Sequence, residues 1–196
     1  MNRVKDILRK NAKLIRKNID VLRCSNAIAK HILNWDLYKQ CKNVMLFYPI
    51  GSEYSLLQLL EDKSKTFLFP HVEGETMYPV IYDKTKDFIT GSFGIKEPQG
   101  EKLENYSLID MIFVPALAAD IKGFRLGYGK GFYDRFLEHI SSACVKVIPV
   151  SSQLVFDSVT TEPHDKSCDY LITENNIIKT NGILNDSVCQ NPEHRK

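Results

Sequence analysis

Several features that would direct the interpretation elsewhere are missing from this sequence of 196 residues. No apolar run approaches the roughly twenty residues that a membrane-spanning helix requires. The formal net charge is only +2, so bulk charge does not indicate a nucleic-acid partner. The amino terminus leads directly into an amphipathic pattern, without the apolar stretch of a signal peptide. We therefore expect a cytoplasmic monomer that binds neither membranes nor nucleic acids.

Cysteine and histidine are also scarce and scattered. The five cysteines form no Cys-x-x-Cys pair, so neither a disulfide framework nor a zinc site is predicted, and free thiols are expected. The histidines show no metal-ligand spacing either. The residues concerned are Cys24, Cys41, Cys144, Cys168 and Cys189, and His31, His71, His139, His164 and His194.

What is present fits one ordinary globular domain. Hydrophobic residues make up 43% and charged residues 26% of the chain, and the length suits a single core. No internal repeat or interdomain linker is visible. We predict one α/β domain over residues 1–180, followed by a polar tail over 181–196 whose lack of periodicity indicates flexibility.

The spacing of apolar residues predicts alternating helices and strands. Helical spacing covers residues 3–22 and 26–35, a helix capped by Ser55 follows over 56–60, and another uses positions 132–140. Short apolar runs predict strands at 44–48, 66–70, 77–82, 109–114, 145–150 and 170–173. Pro79 favours an edge or irregular position for its strand. The alternation predicts a three-layer α/β sandwich, with a largely parallel sheet covered by helices on both faces.

The most informative motif is Arg125-Leu-Gly-Tyr-Gly-Lys-Gly-Phe-Tyr-Asp134. Glycine at every second position allows positive φ and close approach of an anion to backbone N–H groups. Arg125, Lys130 and the start of a helix add positive charge. The motif is not a Walker A loop, because no Ser or Thr follows the lysine, and its glycine spacing differs from a dinucleotide fingerprint. It therefore predicts a phosphate cradle, the plain alternative being a glycine-rich turn.

Several separated motifs, in this order along nearly the whole chain, resemble the 5-formyltetrahydrofolate cyclo-ligase family. They are Lys5-Asp-Ile-Leu-Arg9, Phe47-Tyr-Pro-Ile-Gly-Ser-Glu53, Phe93-Gly-Ile-Lys-Glu-Pro98, Val114-Pro-Ala-Leu-Ala-Ala-Asp120 and the glycine motif itself. The chain departs from the family pattern at Phe132, where many members have tyrosine, and at Ala119, where a larger apolar residue is common.

The resemblance implies specific site residues, with ATP as co-substrate and Mg²⁺ as cofactor. Arg125 and Lys130 would be catalytic, and Asp134 and Asp169 would bind the metal. The implied ATP-binding residues are Lys5, Arg9, Arg125, Leu126, Gly127, Tyr128, Gly129, Lys130, Gly131, Phe132 and Tyr133. The implied folate-binding residues are Tyr48, Glu53, Phe93, Tyr128, Gly129, Lys130, Gly131 and Phe132.

Each of these residues also has a structural explanation. Lys5 and Arg9 lie one helical turn apart, which by itself is typical of a solvated cationic face. Glu53 fits a polar turn, Asp134 complements a helix macrodipole, and Asp169 fits a loop before a strand.

The resemblance implies an ATP-driven ligase that converts 5-formyltetrahydrofolate to 5,10-methenyltetrahydrofolate and releases ADP and phosphate. The alternative is a phosphate- or nucleotide-binding α/β protein, either a sugar-phosphate or CoA-ester enzyme or a non-catalytic module. Fold alone does not separate the two, and Glu97 is the obvious acid that the rival enzyme could use.

Overall fold

A computed structural model describes residues 3–91 and 94–180. Its α-helices are α1 (Arg3–Arg16), α2 (Val21–Asn34), α3 (Asp36–Gln40) and α4 (Phe132–Leu137), and short 3₁₀ helices cover Leu57–Glu61, Tyr106–Leu108 and Ser152–Leu154. Within the described ranges, every helix is too short or too polar to traverse a lipid bilayer.

Twelve strands form three sheets in the described part of the chain. They are β1 (Asn43–Met45), β2 (Thr66–Glu73), β3 (Thr76–Ile81), β4 (Ile89–Thr90), β5 (Lys96–Glu97), β6 (Met111–Phe113), β7 (Ala118–Asp120), β8 (Arg125–Leu126), β9 (Val145–Pro149), β10 (Val155–Phe156), β11 (Tyr170–Ile172) and β12 (Ile177–Lys179).

The central sheet is mixed but mostly parallel. Its order is β12-β11-β9-β6-β1-β2-β3, and only the outer pairs, β11–β12 and β2–β3, are antiparallel. The chain runs from β1 to β2 on one side and later places β6 on the other side of β1. The direction of winding therefore reverses at the β1/β6 boundary, where open α/β sheets form crevices at the carboxyl ends of their strands.

The apolar runs of the sequence become the buried centre of this sheet. Val44, Met45, Met111, Ile112 and Phe113 are all fully buried, as expected for parallel strands covered by other elements. One hydrophobic cluster extends from Ala12 in α1 to Ile172 in β11. The predicted α/β class with a largely parallel sheet is confirmed, whereas the domain boundaries remain a prediction and the 181–196 tail lies outside the described residues.

Local capping explains where the helix prediction was wrong. The predicted helix over 3–22 is divided, because α1 ends at Arg16 and the extended Asp20 caps a new helix by accepting the Arg23 N–H at 3.0 Å. The predicted helix after Ser55 is a 3₁₀ helix, and α4 ends at Leu137 before the predicted limit of 140. The edge position predicted for the strand containing Pro79 is confirmed.

A small sheet of β10, β7 and β8 supports the glycine motif. The turn between β7 and β8 is held by the buried Asp120, whose carboxylate accepts the N–H groups of Lys122, Phe124 and Val159 at 2.9–3.0 Å. Gly123 completes the turn at φ +89°. Since β8 begins with Arg125, this turn determines where the glycine motif enters the site.

We expect Gly123→Ala to lower the free energy of unfolding by roughly 3–5 kcal/mol, because it adds both backbone strain and a steric conflict. The new Cβ would meet the carbonyl oxygen of Cys168. Gly74→Ala is a matched control, since Gly74 has φ +60° but open space around the Cβ position; its cost should stay near 1–2 kcal/mol. Urea unfolding of the variants measures both values, and equal losses would contradict the packing argument.

Candidate active site

A cavity of about 330 Å³ lies at the reversal of strand order. Phe47 and Tyr48 follow the carboxyl end of β1, and Pro115 follows that of β6. The remaining lining comes from six parts of the chain: α1, the segment after β1, the β2–β3 hairpin, the region of β5, the glycine motif and the loop before β11. These residues are Lys5, Arg9, Ile50, Glu53, Pro70, Val72, Met77, Ile95, Glu97, Arg125, Leu126, Gly127, Tyr128, Gly129, Lys130, Gly131, Phe132, Tyr133, Asp134, Glu162, His164 and Asp165.

The glycine motif lies against Arg9, a cation of α1. Gly129 and Gly131 have φ of +97° and +69°, conformations that favour glycine, and Gly131 directly precedes α4. Arg9 donates its Nε–H to the Gly127 carbonyl at 3.0 Å, and its Nη1 lies 2.8 Å from Asp6 Oδ1. A Cβ on Gly129 would lie 3.5 Å from the Arg9 guanidinium. The loop therefore closes tightly over Arg9.

Arg125 lies at the base of the motif and is fully engaged at both terminal nitrogens. Its Nη2 lies 2.6 Å from Asp134 Oδ1, and its Nη1 donates to the Lys166 carbonyl at 2.9 Å. The same Asp134 oxygen accepts the Lys166 N–H at 3.3 Å. Asp134 is therefore held beside the segment that contains Asp165.

A second ion cluster joins α1 to that segment. Lys5 is buried, and its Nζ lies 3.0 Å from Glu162 Oε2 and 2.7 Å from Asp165 Oδ2. Burial alone raises the pKa of Asp165, but the Lys5 ammonium and the Glu162 N–H outweigh it and hold that pKa below its usual range. Ligand atoms of Glu162, His164 and Asp165 lie within 4.8 Å of one another, so they could bind a cation together.

The cavity also contains apolar side chains and buried acids, of which Glu53 is one. Glu53 accepts the Ile50 N–H at 2.8 Å. Burial raises the pKa of its carboxyl, opposed by the Ile50 N–H, the Tyr128 hydroxyl and the Arg16 charge. Tyr48 packs its ring against Phe88, with centroids 5.0 Å apart. A flat ring system carrying N–H donors would find apolar contact and a carboxylate acceptor here.

The two tyrosines of the glycine motif face this acid. Burial and the Glu53 charge raise the pKa of Tyr133, and the same two causes raise the pKa of Tyr128 although 46% of that residue is exposed. The Tyr133 hydroxyl is buried and has no hydrogen-bond partner among the described residues. Because a buried hydroxyl without a partner is costly, it is available to a bound ligand.

The structure brings most of the predicted residues together, with two exceptions. Asp169 does not line the cavity; its carboxylate accepts the Lys146 N–H at 2.7 Å and lies 3.2 Å from Lys146 Nζ. Its carboxylate therefore contacts Lys146 and does not line the cavity with Asp134, so the predicted metal pair stays a prediction. Phe93 lies outside the described residues.

Two sets of cavity residues were missed by the sequence analysis. Glu162, His164 and Asp165 fall within four positions, a concentration of ligand types that the description of scattered histidines overlooked. Glu97 was noted only as a possible acid of the rival enzyme. It is 1% exposed, and its Oε2 lies 2.7 Å from His71 Nδ1. No local pattern marks a buried acid in a two-residue strand.

These features define an α/β protein with a small-molecule site at the strand-order reversal, formed by a glycine loop, clustered cations and a buried acid. A family model for the 5-formyltetrahydrofolate cyclo-ligase family matches residues 2–174. The chain therefore belongs to the 5-formyltetrahydrofolate cyclo-ligase family, and the prediction that it is an enzyme of this family is confirmed.

Individual relatives agree with this assignment. The chain is 32% identical to the 5-formyltetrahydrofolate cyclo-ligase of Mycolicibacterium smegmatis, over 67% of this chain and 73% of that protein. The Haemophilus influenzae enzyme of the same name is 30% identical, over 67% and 76%. The NMR structure of Aquifex aeolicus 5,10-methenyltetrahydrofolate synthetase matches with a TM-score of 0.82 and 31% identity, covering 98% of this chain and 100% of that chain.

A structure of the Mycoplasma pneumoniae 5,10-methenyltetrahydrofolate synthetase has the same fold. Its TM-score is 0.69 at 21% identity, and the match covers 87% of this chain and 98% of that chain.

We expect Lys5→Met to lower the free energy of unfolding by about 1–3 kcal/mol at pH 7, since it leaves Glu162 and Asp165 without their buried cation. The Asp165 pKa is below its ordinary 3.8 in the folded state, so this contribution is complete above that pH and is lost as the pH falls through the folded value. The Lys5 pKa is above its ordinary 10.5, which sets the upper limit.

Urea unfolding between pH 7 and pH 3 measures this difference from the unsubstituted protein. The difference in the free energy of unfolding should become smaller as the pH falls. Lys10→Met removes an exposed lysine of the same helix and should change stability little at any pH. A loss of the same size at every pH, or in both variants, would contradict the ion-pair explanation.

Proposed function

We propose that this protein catalyses the ATP- and Mg²⁺-dependent cyclisation of 5-formyltetrahydrofolate to 5,10-methenyltetrahydrofolate, with release of ADP and phosphate. The observation that carries the proposal is one cavity that the cation-bearing glycine motif shares with apolar side chains and the buried Glu53. Family membership supports the same activity. The cytoplasmic location and the monomeric state expected from the sequence remain predictions.

The phosphate end is assigned to α1 and the glycine motif. Lys130 is exposed at the cavity, and Lys5 and Arg9 line the same side. We assign Lys130 and loop N–H groups to the transferring phosphate, and Lys5 and Arg9 to the rest of the triphosphate. Arg125 adds positive charge, but its contacts with Asp134 and Lys166 also give it a positioning role.

Asp134 and Asp165 are the carboxylates that we assign to magnesium, with Glu162 beside them. Mg²⁺ prefers oxygen ligands and usually shares its coordination with substrate phosphates and water. The fit rests on the contact of Asp134 with the Lys166 N–H, one residue beyond Asp165, at the cation-rich end of the cavity. When bound, the ion would neutralise charge on the triphosphate. Asp169 of the original expectation has no such neighbours.

The folate end is assigned to Tyr48, Glu53 and Tyr128. A carboxylate can accept a pair of hydrogen bonds from the amino and ring N–H groups of a pterin, and it does so best when ionised. The Ile50 N–H fixes one oxygen of Glu53. Tyr48 lines the same cavity and offers an aromatic face there.

The chemistry then requires positioning more than covalent catalysis. The formyl amide oxygen of the substrate is a poor leaving group, so it first attacks the γ-phosphorus of ATP and ADP departs. N10 next attacks the formyl carbon and loses its proton, and the carbon–oxygen bond breaks with release of phosphate. The residues of the cavity hold the two substrates in line, stabilise the transferring charge and exclude water.

We expect methenyl product to form only when 5-formyltetrahydrofolate, ATP and Mg²⁺ are all present. The assay follows the near-ultraviolet absorbance of 5,10-methenyltetrahydrofolate, with ADP measured in parallel. Equal amounts of the two products are expected, because each ring closure consumes one phosphoryl transfer. A protein that binds both ligands without turnover would support the non-catalytic alternative, and product without ATP would exclude the proposed activation.

A magnesium titration at saturating ATP tests the metal assignment. Asp134→Asn and Asp165→Asn should each raise the Mg²⁺ concentration for half-maximal rate roughly tenfold or more, because a neutral amide is a weaker ligand than a carboxylate. Asp169→Asn is the matched control and should behave like the unsubstituted protein. Glu53→Gln should instead raise the folate KM with an unchanged magnesium requirement. A shift in Asp169→Asn alone would restore the original pairing.

A further inference from the structure

Arg16, the last residue of α1, is a buried cation that does not line the cavity. It is 2% exposed, its Nη2 donates to the Ala116 carbonyl at 2.9 Å, and its Cζ lies 4.9 Å from the centre of the Tyr54 ring. Its Nη1 donates to the Tyr128 hydroxyl oxygen at 3.3 Å. One terminal nitrogen of Arg16 is thus bound to the backbone, and the other contacts Tyr128 of the glycine motif.

The donors and acceptors of the two side chains determine the direction of the hydrogen bond between Arg16 and Tyr128. A guanidinium has hydrogen-bond donors and no acceptor, so Tyr128 must receive the Arg16 N–H on its oxygen. The single O–H of Tyr128 is then directed elsewhere. The Glu53 carboxylate, which lines the same cavity and acts only as an acceptor while ionised, is near enough for its charge to raise the pKa of this hydroxyl. The hydrogen bond from Arg16 therefore leaves the Tyr128 O–H free to point towards the ionised Glu53 carboxylate.

We propose that Arg16 is a positioning residue for folate binding: it fixes the Tyr128 hydroxyl so that Tyr128 and the ionised Glu53 carboxylate present a preset acceptor to the pterin. The inference rests on the proposed function, because it presumes that Glu53 binds the folate.

Burial and charge support this role. Burial raises the pKa of Glu53, and the nearby Arg16 charge acts against that rise. The charged or titratable groups that act on this carboxyl are Tyr128 and Arg16, and Tyr133 responds to its charge in turn. A cation that itself stays outside the cavity can thus favour the acceptor form without competing for the ligand.

Stability alone explains the buried arginine poorly. Its Nε has no hydrogen-bond partner within the described ranges, which is unfavourable for a buried donor. A buried ion is often replaced by an apolar side chain of similar size with little loss of stability. The structural explanation is a helix-end cation packed on Tyr54, and it predicts no special effect on folate.

The test compares Arg16→Lys, Arg16→Met, Tyr128→Phe and the Arg16→Lys/Tyr128→Phe double variant. Lys17→Met, an exposed neighbour on the same turn, is the control. Equilibrium binding of 5-formyltetrahydrofolate without nucleotide, and separate KM values for folate and ATP, are measured on protein whose folded fraction is known from urea unfolding.

We expect Arg16→Lys to weaken folate binding about tenfold, the scale of one lost charge-assisted hydrogen bond, while the ATP KM changes less than twofold. The double variant should bind folate no more weakly than Tyr128→Phe, because both changes remove the same contact between Arg16 and the Tyr128 hydroxyl. In Arg16→Met the acid limb of folate affinity should move to higher pH, since the ionised Glu53 loses its cation.

The opposing outcomes are distinct. Lower stability with unchanged folate affinity and an unchanged pH profile, or fully additive losses in the double variant, would overturn the role of Arg16. Failure of the unsubstituted protein to bind 5-formyltetrahydrofolate would overturn the proposed function and this inference with it. If Arg16→Met does not fold, Arg16→Lys and the Tyr128→Phe cycle still decide the question.

Discussion

Charge compensation inside the cavity is the constraint on which the rest of the site depends. Lys5 and Arg125 converge on a partly enclosed space, where unpaired cations would repel one another and lose hydration. Glu162, Asp165 and Asp134 supply the opposite charge at 2.6–3.0 Å. A triphosphate could replace carboxylates as the partner of the cations, while the released carboxylates could accept a metal ion. The cationic side chains of the site are thus paired with carboxylates before a ligand binds.

The same pairs determine how distant parts of the chain meet. Lys5 and Asp165 are 160 positions apart, and Arg9 reaches the Gly127 carbonyl across 118. The amino-terminal helix is therefore a wall of the cavity and not a solvated appendage. Its cationic face looked ordinary because a helical wheel shows spacing but not partners. The turn at Asp120 and Gly123 sets the position of the facing wall, so the small sheet matters as much as the large one.

Sequence patterns predicted features that depend on neighbouring residues of the chain and missed features that depend on contacts between distant residues. The apolar runs around Val44 and Ile112 gave the buried strands, and the glycine spacing gave the positive φ at Gly129 and Gly131. The order of the strands, and hence the reversal at β1, depends on contacts between distant segments. The strand containing Ala118 carries no alternating pattern to reveal it. The resemblance implied Asp169 as a metal ligand and did not indicate Asp165, because only the folded structure shows that Asp165 contacts Lys5 in the cavity while Asp169 contacts Lys146.

The glycine motif joins the two halves of the cavity through a single backbone. Its Gly127 carbonyl accepts from Arg9 at the proposed phosphate end, and the adjacent Tyr128 has its pKa raised by the charge of Glu53 at the proposed folate end. A displacement of this loop would therefore disturb both substrates together, whereas a change confined to the Arg16–Tyr128 contact alters one end with the loop in place. For a variant of this loop, the change in the folate KM should therefore be compared with the change in the ATP KM. The ratio of the two changes, and not the size of either, assigns the residue to its role.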